Sequence, residues 1–328
     1  MKVIIPLGGL GTRLRPHTYT RPKPLINVAG KPMLGHIIDK FAHLPVEEYI
    51  FVVGYLGEQI EQYVQNTYPF RARFVEQKEP LGQAHALWLC REYVDGPAFM
   101  IFGDTLFDAD LNEVAYAPVD NLVYAKEVDD PRRFGVVVLC EDGSVDRFVE
   151  KPESMNNRLA VIGMYYYADG PLLMRACEEL MERQLQTKGE FFLADANNLM
   201  IEQGARFVPR TVEVWLDTGK PETVLETNRY LLSNGSDNSS SVQFPACVIV
   251  PPVNVHPTAK IEEAVIGPYA TIGESCHIHR AIIRDSIIEA GATITDTFLD
   301  QSLIGREATV TGRYRKFNVG DSANVGFS

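Results

Sequence analysis

Apolar and polar positions follow two rhythms in the first two thirds of the chain. Short apolar or β-branched runs at Lys2–Leu7, Glu48–Val53, Arg73–Glu76 and Ala98–Phe102 predict strands. Between them, Leu34, Ile37, Ile38 and Phe41 share one helical face, Gln59–Gln65 reads as helix, and Gln83–Tyr93 is rich in Ala and Leu. Alternation of this kind implies an α/β fold: a mostly parallel mixed sheet with helices on both faces, and ligands beyond the carboxyl ends of the strands. Gly8–Gly11 and Asp104 both fall at such ends. Strands then dominate at Leu122–Glu127, Gly135–Leu139, Val145–Val149 and Val161–Tyr167. Helical patterns follow near Pro171–Gln186 and Leu193–Gln203, a strand at Arg206–Val214, and a helix from Pro221 to Leu232, with Pro221 in its first turn.

After a polar Ser/Asn-rich stretch the rhythm changes. Val255, Ile261, Ile266, Ile272, Ile278, Ile283, Ile288, Ile294, Leu299, Ile304 and Val310 recur every five or six residues. Small residues such as Gly267, Ala270, Gly273, Gly291 and Gly305 stand between them. This spacing fits neither a helix nor a flat strand. It predicts a parallel β-helix in which each face contributes one inward aliphatic residue per coil. The expected organisation is residues 1–232 as one domain, 233–244 as linker and 245–328 as β-helix.

Composition narrows the function. No apolar run approaches the roughly 20 residues of a membrane helix, and the short apolar start does not make a signal sequence, so a cytoplasmic protein is expected. The five cysteines are dispersed and form no CxxC pair, which argues against a disulfide framework or a structural zinc site. A net charge of -12 disfavours nucleic acid as a partner. Yet the first 38 residues carry six Lys and Arg and no acid before Asp39. A cationic, glycine-rich opening on an acidic chain suits a small, concentrated anion.

That opening reads Pro6-Leu7-Gly8-Gly9-Leu10-Gly11-Thr12-Arg13-Leu14-Arg15-Pro16. It lacks the third glycine of a dinucleotide fingerprint and the Gly-Lys-Ser/Thr of a Walker loop. The glycines still let backbone N–H groups approach phosphate, and Arg13 offers a bidentate fork. Pro22 and Pro24 flank Lys23, which they should hold in an extended stretch as a point charge. Asp104 and Asp217 each end an apolar run at a probable strand terminus and are candidate ligands for Mg²⁺.

These segments, with Arg21–Leu25, Gly30–Met33, Gln77, Pro80–Ala84, Phe102–Asp104, Phe134–Val136, Glu150–Pro152, Gly189–Ala196 and Trp215–Pro221, resemble the sugar-1-phosphate nucleotidyltransferases. Within that family the chain is most similar to the long-form glucose-1-phosphate thymidylyltransferases, with a C-terminal left-handed β-helix. The resemblance covers roughly residues 1–232 and implies a Rossmann-like fold. Leu7 stands where the family usually has Ala or Ser, and Thr105 follows Asp104 where Asn is common. The implied reaction joins an NTP to a sugar 1-phosphate with release of pyrophosphate, dTTP or UTP with glucose 1-phosphate being the first expectation. The resemblance implies that Arg13 and Lys23 act in catalysis, that Leu7, Gly8, Gly9, Gly11, Thr12, Arg13, Gln77 and Gly82 bind nucleotide, and that Asp104 and Asp217 bind Mg²⁺. It assigns Gly135, Glu150, Lys151 and Glu190 to the sugar phosphate. The β-helix is expected to pair with copies of itself into a homo-oligomer. Mannose-1-phosphate guanylyltransferase, a bifunctional nucleotidyl- and acetyltransferase using His256, His277 or His279, and a noncatalytic nucleotide-sugar-binding regulator are the alternatives.

Overall fold

The computed structural model describes residues 1–187 and 189–312, so residues 313–328 of the expected β-helix domain lie outside the described residues. Two compact units are present: residues 1–26 with 31–227, and residues 27–30 with the chain from Asn228 onward.

The first unit is built on strands β1 (Lys2–Pro6), β2 (Glu48–Val53), β3 (Ala72–Glu76), β4 (Ala98–Ile101), β5 (Thr105–Asp108), β6 (Asn121–Glu127), β7 (Gly135–Leu139), β8 (Val145–Glu150), β9 (Leu159–Tyr167), β10 (Phe207–Thr211) and β11 (Val214–Asp217). Its helices include α1 (Met33–Asp39), α2 (Gly57–Thr67), α3 (Gln83–Trp88), α4 (Gly170–Glu182) and α5 (Leu193–Glu202), with a short one at Asn112–Ala115, and the helix expected from Pro221 runs over Pro221–Leu231. The main sheet runs β8-β7-β9-β4-β1-β2-β3, with β6 on β9 and β10 on β6. Strands β4, β1, β2 and β3 are parallel neighbours, as the strand–helix alternation predicts. Their fully buried Ile4, Ile50 and Met100 join Leu87, Leu173 and Met200 of the helices in one core.

The other half is mostly antiparallel: β9 runs against β4, β6 and β7, and β7 against β8, while β10 lies parallel to β6. Of these pairs only β7 and β8 are joined by a short link, which forces them antiparallel, because parallel neighbours need a long crossover. Between β7 and β8 the Asp142 carboxylate accepts hydrogen bonds from the Ser144 N–H and hydroxyl and closes a tight turn.

Two local expectations change. The strand expected from Arg206 to Val214 is broken: β10 ends at Thr211, the Val212 N–H donates to the Ala125 carbonyl, and β11 pairs elsewhere with β5. Lys23 is not extended; it opens a 3₁₀ turn over Lys23–Leu25. The Leu25 N–H donates to the Pro22 carbonyl and that of Ile26 to Lys23, while Pro24 and Leu25 are buried. Tertiary burial, together with a φ that suits proline, outweighs the extended preference of a residue preceding proline.

In the second unit the predicted aliphatic residues resolve into three stacked columns. Val255, Ile272, Ile288 and Ile304 are register partners in successive coils. So are Ile261, Ile278, Ile294 and Val310, and likewise Ile266, Ile283 and Leu299. All pairings are parallel, and most column members are buried together. The stretch expected as linker lies against this stack: the Asp237 and Asn238 side chains accept the backbone N–H groups of Val253 and Val255. Asn228, fully buried, accepts from the Ala29 N–H and Thr271 hydroxyl and donates to the Tyr269 carbonyl.

The columns act as the stabilising core of this unit. Ile272→Ala, at a position 1 % exposed, is expected to cost about 2–5 kcal/mol. Denaturant unfolding followed by a probe in the β-helix measures it; a loss near zero would show that the column does not carry the fold.

Candidate active site

Two carboxylates from distant parts of the first unit are brought together by a short backbone ladder. β5 and β11 pair antiparallel with Thr105 opposite Asp217. Asp104 directly precedes β5 and Asp217 ends β11, and the Thr218 N–H donates to the Asp104 carbonyl at 3.2 Å. The pair is felt electrostatically: burial first, then the Asp104 charge, raises the Asp217 carboxyl above its ordinary pKa. Lys23 and Arg13 pull in the opposite direction, as does the Gly219 N–H.

Both cations arrive from the glycine-rich opening. Lys23 Nζ lies 2.5 Å from Asp104 Oδ2, its side chain 12 % exposed. Gly11 adopts a left-handed φ of 61°, where glycine is unstrained, and a 3₁₀ turn over Thr12–Leu14 follows it. Arg13 thereby reaches Gly219: a Cβ there would lie 2.8 Å from Arg13 Nη2 and 2.9 Å from Asp217 Oδ2. The guanidinium and the carboxylate thus share one backbone surface that only glycine leaves open.

Around these four side chains lie two cavities that share Gln83, Phe102, Asp104 and Glu190. The first, about 360 Å³, is lined by Leu7, Gly8, Gly9, Lys23, Gln77 and Gly82. Its wall needs close backbone approach. Gly82 has φ 115°, and a Cβ there would sit 2.5 Å from the Phe191 carbonyl oxygen. The backbones are zipped together, the Phe191 N–H donating to Leu81 and the Ala84 N–H to Phe191. The Leu7 side chain is buried, and a Cβ at Gly103 would lie 2.0 Å from its Cδ2. The departure from a small residue at position 7 is therefore accommodated by glycine at 103.

The second cavity, about 710 Å³, takes in Arg13, Gly135, Glu150, Lys151 and Asp217. Gly135 and Glu150 are register partners in β7 and β8, and a Cβ at Gly135 would touch Glu150 Oε2 at 3.0 Å. Lys151 Nζ lies over the Phe192 ring, 4.9 Å from its centroid, and 3.7 Å from Glu150 Oε1.

Of the residues expected to act in catalysis or to bind nucleotide, sugar phosphate or metal, Gly11 and Thr12 line neither cavity. Sequence reasoning missed Lys126, Arg133 and Lys220, three further cations of the second cavity, and the edge-on Phe134–Trp215 pair at 4.9 Å. Lys220 was detectable, since it directly follows Asp217-Thr218-Gly219. Lys126 and Arg133 carry no local signal.

The carboxylate pair suits a hard divalent ion. Among the described residues no group of three or more His, Cys, Asp and Glu could hold a metal alone. Mg²⁺ commonly uses one or two carboxylates and completes its shell with water and substrate phosphate. The raised Asp217 carboxyl marks negative charge that such an ion would neutralise.

Residues 2–234 match the Nucleotidyl transferase family, and residues 222–296 match the GlmU-like, C-terminal hexapeptide family. The chain belongs to the nucleotidyl transferase family, and its tail is a left-handed β-helix of the hexapeptide kind. It is similar to the bifunctional protein GlmU of Methanocaldococcus jannaschii, 37 % identical over 71 % of this chain and 54 % of that one, so the chain spans about half the length of that relative. It is 28 % identical to a glucose-1-phosphate thymidylyltransferase of Streptomyces antibioticus over 99 % of both chains. A crystal structure from Bacillus anthracis, described as a glucose-1-phosphate thymidylyltransferase with a sucrose, aligns with a TM-score of 0.60 at 26 % identity, covering 70 % of this chain and 94 % of that one. No helix among the described residues is long and apolar enough to cross a membrane.

The strained carboxylate predicts a trade between stability and chemistry. With its folded pKa raised above 3.8, Asp217 holds its proton in the folded state at a pH where the unfolded chain has released it. Stability is therefore lost as pH rises from 3.8 through the folded value, and stays lost above it. In metal-free buffer Asp217→Asn should melt at a higher temperature than wild type at neutral pH, with the gain vanishing in acid. Melting curves across that range check it; a lower melting temperature at neutral pH would show that Asp217 is not destabilised by its neighbours.

Proposed function

We propose that the chain transfers a nucleotidyl group from an NTP to a sugar 1-phosphate, with dTTP or UTP and glucose 1-phosphate as the pair of choice. The observation that carries this reading is the meeting of Arg13, Lys23, Asp104 and Asp217 where two cavities join. The first cavity takes the nucleotide and the second the sugar phosphate. A phosphate oxygen of the sugar attacks the α-phosphorus, the bond to the bridging oxygen of the β-phosphate breaks, and pyrophosphate leaves with the electron pair. No protein nucleophile is needed; the main barrier is the approach of two polyanions.

Each residue then has a task. The Gly8 and Gly9 backbone lies along the phosphates, and Gly11 shapes the turn that aims Arg13. Arg13 stabilises charge growing on the leaving pyrophosphate, and Lys23 neutralises the reacting phosphates. Mg²⁺ held by Asp104 and Asp217 would screen the remaining phosphate charge. Gln77 and Gly82 meet the base. Lys151 grips the sugar phosphate, while Glu150 and Glu190 accept hydrogen bonds from sugar hydroxyls and Gly135 leaves room for the ring. Catalysis is assigned to residues 1–232 and assembly to the β-helix from 245 onward.

A homo-oligomer through the β-helix is supported by one outward column. Val248, Val265, Ile282 and Phe298 are register partners in successive coils. Val248, Ile282 and Phe298 are 56 %, 43 % and 55 % exposed. Such an aligned apolar strip suits burial against a second copy.

Pyrophosphate release, assayed across five NTPs and four sugar 1-phosphates with Mg²⁺, tests the reaction; silence with every pair overturns it. Arg13→Ala is expected to lower kcat by at least about a hundredfold, the scale of losing one preorganised electrostatic contact. A near-wild-type kcat would remove Arg13 from its role. For assembly, Ile282→Asp with Phe298→Asp should shift the mass measured by light scattering to that of a monomer. An unchanged oligomer would place the contact elsewhere.

A further inference from the structure

His85 lies in α3 immediately behind the first cavity, outside its lining. Its ring faces Gln77, whose side chain does line that cavity. Gln77 Nε2 is 3.1 Å from the Gly82 carbonyl oxygen and 3.1 Å from His85 Nδ1. These two contacts settle the chemistry of the pair. A carbonyl oxygen only accepts, so the Gln77 atom facing Gly82 must be the amide nitrogen. That nitrogen has a second hydrogen, and His85 Nδ1 is placed to receive it. The imidazole is therefore neutral, with its proton on Nε2.

Three features hold the imidazole in that state. Partial burial lowers its pKa from the ordinary value, against a smaller opposing pull from Glu79. The ring stacks on Trp88 at 6.0 Å between centroids, and Arg91 lies over the other partner of that stack, 4.0 Å from the Trp88 ring centre. Ala84 and Ala86, the flanking residues of α3, are buried, which fixes the helix that carries the ring.

With both amide hydrogens committed, only Gln77 Oε1 remains to face a ligand. It sits against Gly8 at the cavity wall, 2.9 Å from where a Cβ would be, and no hydrogen bond to it is present among the described residues. A lone acceptor in a nucleotide cavity reads one property of a base. Uracil, thymine and guanine each present a ring N–H beside a carbonyl; cytosine and adenine present a ring nitrogen lone pair there instead. We propose that His85 is a positioning residue which, through Nδ1, locks the Gln77 amide with its oxygen toward the base, so that the cavity accepts bases bearing a ring N–H and rejects those bearing a lone pair. Without His85 the amide retains only the Gly82 contact, and can turn its NH₂ toward a ring lone pair at the loss of one ordinary hydrogen bond. The proposal rests on the reading of this cavity as the nucleotide site.

Selectivity, rather than activity, is the measurement. Wild type and His85→Phe, which keeps an aromatic ring on Trp88 but offers no acceptor, are compared by kcat/KM for UTP, dTTP, GTP, CTP and ATP. Binding of the same nucleotides is measured by calorimetry without sugar phosphate. Wild type should favour its best ring N–H nucleotide over CTP, and His85→Phe should shrink that ratio by about tenfold or more, chiefly through KM. His85→Asn, which restores an acceptor, should recover most of the ratio. Should His85→Phe not fold, His85→Ala carries the same expectation. An unchanged ratio in a folded variant, or a wild type preferring CTP or ATP, overturns the proposal. If nothing turns over but binding discriminates and loses that discrimination in His85→Phe, the transfer reaction falls while the His85 role stands. If wild type binds none of the five nucleotides, both fall.

Discussion

Two like charges held side by side constrain everything else in the first unit. Asp104 and Asp217 repel, and a chain free to relax would separate them. The β5–β11 ladder forbids it, and the bond between Thr218 and Asp104 spans 114 positions of sequence to close the pair. Backbone hydrogen bonds cannot swing away as side chains can, so burial first, and then repulsion from Asp104, appear as a raised Asp217 pKa. Lys23 against Asp104 and Arg13 against the Gly219 backbone then follow as counter-charges. Under the proposed function, these same cations would meet a polyanionic substrate.

Close backbone approach is the second constraint. Gly82 on Phe191, Gly103 on Leu7 and Gly219 on Arg13 and Asp217 are contacts that a methyl group would fill. They bring chain segments from far apart into close contact, so that glycine backbone lies beside the long side chains that line the cavities.

How much of this was legible in the sequence depended on the range of the contacts. The parallel half of the sheet followed from local alternation, since each strand there is separated from the next by helical sequence. The β-helix was more legible still, because Val255, Ile272, Ile288 and Ile304 repeat the same environment coil after coil. Lys23 misled, because its prolines speak for an extended backbone while the burial of Leu25, visible only in three dimensions, closes a 3₁₀ turn. The β5–β11 ladder was invisible: four residues pairing with four across more than a hundred leave no periodic trace. Strand ends alone could bring Gly8–Gly11 and Asp104 toward one crevice, the remaining motifs were joined to them only through resemblance, and Lys126 and Arg133, with no motif around them, could not be gathered at all. One detail of the division had no local signal: the short piece Asn27–Gly30 belongs with sequence two hundred residues later, as the bond from Ala29 to Asn228 makes plain.

The three columns of the second unit make its length a quantised variable. Each coil takes sixteen or seventeen residues to return to register, as Val255, Ile272, Ile288 and Ile304 record. A residue more or less at a corner is absorbed, since coils of both lengths return to register, whereas removing one inside a strand would turn the side chains after it on that face off their column, and duplicating a full turn would leave all inward positions inward. A tail built this way can be lengthened or shortened in whole steps without redesign of the parts that remain, so its reach can change across descendants while its cross-section stays the same.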